Sequence, residues 1–202
     1  MIPKKVSSII SFFLATFVAF LPFNFIVGSK AALFSYSTMA IPALGSCYSL
    51  VYVILYIFTK GLFSFSVPYL FFLHRLPLLF AATALKMRDI RVYVIIPLIA
   101  IILFCMHPVG HQVFYYSWYW FIPMGIYFFT KDTMHSRALA ASFVAHAVGS
   151  VVWLYTGNIP AEVWTALMPL VIVERLIIAA GMVGFVYVFK SINFFCQSKV
   201  IA

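Results

Sequence analysis

The chain has 202 residues, 65% of them apolar and 8% charged, with a mean hydropathy of +1.11. Soluble domains run at about 45–50% apolar and about 25% charged, so this composition excludes an ordinary water-soluble globule and points to one membrane-embedded domain, 1–202. The formal charge of +9 comes from 13 Lys and Arg against 4 Asp and Glu, but the cations are scattered through loops and form no basic face, which excludes nucleic-acid binding.

Seven apolar stretches are predicted in chain order, at 8–27, 41–58, 62–85, 92–106, 113–130, 138–155 and 161–189. Each is near the roughly 20 residues needed to cross a hydrocarbon core. Backbone groups in lipid must pair internally, and the alternation of a membrane barrel is absent, so the expected class is an all-α polytopic bundle. The run after Lys4 and Lys5 is too long for a signal-peptide core and reads as a retained first helix. Polar breaks fall at 28–30, 59–60, 86–91, 107–112, 131–137 and 156–160.

Seven crossings would place Lys4, Lys5 and Lys60 opposite the other basic loops. Removing the first or third stretch as a crossing gathers nearly all cations on one side, so positive-inside bias favours six transmembrane helices with both termini cytoplasmic. The stretch 62–85 holds Pro68 and Pro77 with His74 and Arg75 between them. It is either a broken, re-entrant element or a kinked helix.

Charges at mid-membrane need a reason, because each costs roughly 2.5–3.5 kcal/mol on insertion scales. Arg75 lies near the middle of its stretch, and Glu174 and Arg175 near the middle of the last. Adjacent helical residues point about 100° apart, so the expected partner of Glu174 is Arg75 on another helix, with Arg175 facing elsewhere. The pair is either a packing device or part of a binding site.

On the sixth stretch Ser142, His146, Gly149, Ser150 and Trp153 share one helix face. Ala141, Ala145 and Gly149 make an overlapping small-residue ridge suited to close helix contact. The run from His107 to Trp120 is rich in Tyr and Trp, and reads as an interfacial aromatic belt or as a wall beside a ligand. Cys47, Cys105 and Cys196 have no disulfide or zinc spacing. His107 and His111 have no carboxylate beside them, and Pro108 and Gly110 break their geometry, so neither a metal nor another cofactor is expected. A haem between His74 and His146 is the one such alternative, and an absorption spectrum tests it. No nucleophile elbow, zincin motif or nucleotide-binding loop is present.

Ile41, Pro42, Ala43, Leu44, Gly45 and Ser46 form a proline-led segment after the first helix. Ile159 and Pro160 open a last helix with a mid-helix charge. In these features and in size the whole chain resembles the substrate-binding S component of energy-coupling-factor vitamin transporters. The resemblance implies six helices, cytoplasmic termini in a plasma (inner) membrane, solute capture from outside, and transmembrane and ATPase partners. It also implies a small-residue docking face, for which Ala141, Ala145 and Gly149 are the candidate. The expected site for a small vitamin-like, anionic or aromatic solute is Arg75, His146, Trp153, Glu174 and Arg175, with His74, Trp118 and Trp120 at its rim. The competing readings are an intramembrane redox or transferase enzyme and a structural or assembly subunit.

Overall fold

The computed structural model describes residues 4–21, 35–62 and 68–198. The end of the first apolar stretch, Lys30 and Lys199 lie outside the described residues. Among those residues the fold is all-helical: α1 (Lys4–Val18), α2 (Ser37–Cys47), α3 (Leu50–Leu62), α4 (Pro68–Lys86), α5 (Ile96–Met106), α6 (Pro108–Gln112), α7 (Phe121–Phe129), α8 (Met134–Thr156) and α9 (Ala161–Ser198).

Helix lengths correct the expectation of six similar spans. Among the described residues, two helices are long and apolar enough by composition to cross a membrane: Met134–Thr156, and α9 over Ala161–Phe195. The stretch 41–58 is cut in two because Ser49 caps a new helix, its Oγ accepting the Val51 N–H at 3.3 Å. Gly45 permits the chain to fold back there, since a Cβ would lie 2.9 Å from Ala82 Cβ and 2.5 Å from Val53 Cγ2. Before α5 the backbone widens into a π turn, Arg91–Ile95. Pro97 has no N–H to return to Tyr93, and its ring would crowd that carbonyl. The stretch 113–130 opens as a 3-10 helix, Phe114–Trp120, before α7. From Pro68 to the end of the stretch 62–85 the chain is one continuous helix, with the Pro77 ring set against Gly149 of α8.

Contacts fix the direction of each pass. Ser8 bonds Tyr52 at 2.6 Å and Lys60 covers the Phe20 ring, so α1 and α3 run parallel. Phe58 meets Phe72, and His74 and Arg137 bind the two ends of the α4–α8 pair through Thr156 and the Lys86 carbonyl. Ser7 Oγ donates to Asn193 Oδ1 at 2.9 Å, which brings the start of α1 to the end of α9. Counting Phe114–Phe129 as one pass and the short α6 as a connection, the described helices make eight passes of alternating direction. Both described ends of the chain therefore lie with Lys86, Arg88, Arg91, Lys131, Arg137 and Lys190 at one basic end. At this end Arg91 holds the Asp89 carboxyl down to about 2, and Arg137 holds Asp132 below the usual carboxylate range.

Two cores result. One is built from α1 to α4 with Ala138, Ala141 and Val144 of α8 and Ile178, Met182 and Val186 of α9. The other joins Ala100, Phe104, Val113, Tyr116 and Trp120 to Phe143, Ala147 and Leu154 of α8 and Trp164 and Val171 of α9. Large apolar side chains also cover the exterior, and a set of polar ones lies inside. Phe13, Phe17, Phe58, Ile102, Phe129, Ile172 and Phe194 are exposed, whereas Ser11, Ser142, His146, Ser150, Glu174 and Arg175 are buried.

Candidate functional site

The eight sequence-predicted site residues fall into separate groups. His146, Trp120, Glu174 and Arg175 come together in the interior, where α8, α9 and the 3-10 helix meet. His146 Nδ1 accepts the Trp120 Nε1–H at 3.1 Å, and His146 Nε2 lies 2.9 Å from Tyr116 Oη. Indole nitrogen can only donate, so Nδ1 carries no proton. The imidazole is therefore neutral, with its proton on Nε2 and donated to Tyr116. Ser150, one turn beyond His146 on α8, is buried beside the same hydroxyl. The Tyr116 ring stacks on Phe104 at 5.8 Å and meets Trp164 edge-on at 5.1 Å.

One turn along α8, Ser142 Oγ donates to the Arg175 carbonyl at 2.9 Å. Glu174 and Arg175 pair with each other, Nη2 to Oε2 at 3.5 Å. This corrects the expected Glu174–Arg75 pairing. Cβ atoms about 100° apart on a helix do separate short side chains, but the long Arg175 side chain curls back to its neighbour. Arg75 lies on the opposite flank, over the Phe71 ring at 5.3 Å and in the field of Tyr56 and Lys60 on α3.

Trp120 is fully buried and belongs to the core rather than to a rim. Trp118 is 61% exposed and touches Phe114, as an outward-facing aromatic belt would. His74 and Trp153 meet at the end remote from the basic loops, their ring centroids 4.3 Å apart. Thr156 gives its own hydrogen to the Val152 carbonyl, so His74 Nε2–H donates to Thr156 Oγ1 at 2.9 Å. The small-residue ridge on α8 is occupied inside the chain: Gly149 faces Pro77, and Ala141 is buried in the core shared with α4. That removes it as an open docking face.

Open space adjoins the His74–Trp153 contact. One groove of about 260 Å³ runs between α4, α5 and α8, lined by Leu73, Leu103, Val151, Val152, Tyr155 and Thr156. A second, of about 310 Å³, shares Tyr155 and is lined by His107, Val109, Leu154 and residues 157–160. Tyr155 donates to the Leu103 carbonyl at 2.8 Å and its ring meets His107 at 5.0 Å, so it forms the partition between them. His107 Nδ1 accepts the Val109 N–H at 3.3 Å, which places the ring proton on Nε2. This groove thus combines an imidazole N–H, the Asn158 amide and carbon surface.

Sequence reasoning missed Tyr116, Tyr155 and Thr156. Tyr116 sat in the run read as an interfacial aromatic belt and Tyr155 at the end of the sixth apolar stretch, and nothing local in the sequence ties Tyr116 to His146, 30 residues away. Among the described residues no group of three or more His, Cys, Asp or Glu is arranged to hold a metal ion. In comparisons with known proteins, no family model matches the chain, nor does any curated protein or solved structure.

Proposed function

We propose that this protein is a multi-pass membrane subunit that binds a small planar solute for uptake, with the energy supplied by a partner, as the resemblance to S components implies. Embedding is supported by the apolar exterior, which would leave a very large patch facing water in a soluble protein. In this reading the basic end is cytoplasmic, following the positive-inside rule, and short helices cross as packed pairs around α8 and α9. The observation that carries solute binding is the pair of grooves divided by Tyr155 at the far end, beside His74 and Trp153. The second groove, at about 310 Å³, sits at the lower edge of ligand pockets, about 300–1,000 Å³, and its mixed lining suits a ring system with a few polar edges, while the first is smaller and apolar.

The interior cluster favours a second reading, a structural subunit. His146 spends both ring nitrogens on Trp120 and Tyr116, and so holds the protein together rather than a solute. Native mass spectrometry of protein purified in mild detergent discriminates the two. A retained small molecule that is lost in Tyr155→Ala and His74→Ala, with thermal stability otherwise kept, supports transport. Retention of no solute, together with unchanged uptake in cells carrying either variant, overturns it.

A further inference from the structure

We infer that Lys60 and Arg75 form an anion site for a phosphate group on the α3–α4 hairpin, a reading independent of the solute grooves. Both side chains are half-buried on an aromatic surface. Lys60 Nζ lies 3.3 Å from the Phe20 ring centre and Arg75 5.3 Å from that of Phe71. Gly61 joins the two, since a Cβ there would lie 3.3 Å from Phe71 Cε1. Gly61 thus brings the Lys60 end of α3 against the ring that carries Arg75, which sets the two cations on neighbouring turns of the packed α3–α4 pair.

The chain has 4 carboxylate side chains, and none is available here. Asp89 binds Arg91, Asp132 binds Arg137 and Glu174 binds Arg175. Glu162 is exposed on the first turn of α9, a helix that packs on α1, α2 and α8 rather than on the α3–α4 hairpin. Two like charges on an apolar surface destabilise the fold unless a counter-charge is bound. Arg75 lies seven residues from the start of α4, about 10 Å along its axis, within the reach of a side chain that extends toward a bilayer surface. A phosphate oxyanion accepts from a guanidinium fork and an ammonium together. A phospholipid headgroup and a soluble phosphate share that chemistry.

Wild type, Lys60→Gln/Arg75→Gln and Lys60→Glu are compared in nanodiscs of phosphatidylcholine with or without phosphatidylglycerol, counting retained lipids by native mass spectrometry. Inorganic phosphate is titrated in lipid-free detergent with thermal shift as readout. The expected result is selective retention of phosphatidylglycerol by wild type, weakened at least about fivefold in the double variant. Lys60→Glu supplies Arg75 with an internal carboxylate, so it should fold at least as well as wild type and still lose the anion. A phosphate-dependent rise in Tm without lipid selectivity identifies a soluble phosphate instead. Equal lipid retention in all three proteins, with no response to phosphate, overturns the site.

Discussion

Replacing His146 by Leu keeps most of the side-chain bulk and removes both ring nitrogens. The Trp120 Nε1–H then loses its acceptor inside a fully buried ring, at a cost of about 1–3 kcal/mol. Tyr116 loses its bond to His146 Nε2, which adds about 0.5–1.5 kcal/mol. His146→Leu should therefore destabilise the protein by roughly 1.5–4.5 kcal/mol. Trp120→Phe strands only Nδ1, and the double variant strands neither partner of that bond. The double-mutant cycle should return a favourable coupling of about 0.6–1.7 kcal/mol, the range from typical to strongest for hydrogen bonds between membrane helices. Unfolding by SDS in mixed micelles, followed by far-UV circular dichroism, measures all four proteins. Nitrogen-15 NMR of the histidine ring should independently show Nδ1 unprotonated. Additivity within about 0.3 kcal/mol, or a protonated Nδ1, refutes the assignment.

Gly45→Ala should cost about 1–3 kcal/mol by forcing a methyl against Val53 and Ala82, whereas Gly184→Ala, with nothing within 4 Å of its Cβ position, should be neutral or stabilise by up to about 1 kcal/mol; thermal melts of the two side by side test this. The Asp132 carboxyl is held by Arg137 below its unfolded value of about 3.9, so its contribution is present above that pH and is lost as pH falls through the folded value. Asp132→Asn should thus lower stability at pH 7 by no more than about 1 kcal/mol, and the gap from wild type should close on acidification below about pH 4. Cysteines placed at Asp132 and Asp89 should label from one side of the membrane and a cysteine at Asn158 from the other; labelling of both loops and Asn158 from the same side contradicts the alternating passes.

Composition and the polar breaks at 86–91, 131–137 and 156–160 made the helical class and three of the inter-helix connections legible. The His146 face was legible too, because its spacing is local. The structure distributes that face among three neighbours: Ser142 reaches α9, His146 the 3-10 helix, and Gly149 packs on α4. What stayed hidden depends on backbone caps and on distance along the chain. The cut at Ser49 lies within a stretch that is apolar on both sides, so hydropathy cannot see it. The 3-10 turn over Phe114–Trp120 looks, by composition alone, like any interfacial aromatic run. The Glu174–Arg175 contact was discounted because backbone geometry was considered without side-chain length.

The two helices long enough to cross a membrane are also through-going beams. α8 contributes Ala141 to one core and Leu154 to the other, while α9 runs from Trp164 in the second to Met182 in the first. The rung between them, Ser142 with the Arg175 carbonyl, falls where the cores change over. Sliding one beam past the other by a turn would move it about 5.4 Å, break that rung and leave the buried Ser142 hydroxyl and Arg175 carbonyl without each other. The polar rung therefore acts as a detent. It gives the bundle one longitudinal register, although small apolar side chains such as Ala141 and Ala147 would by themselves pack comfortably in several.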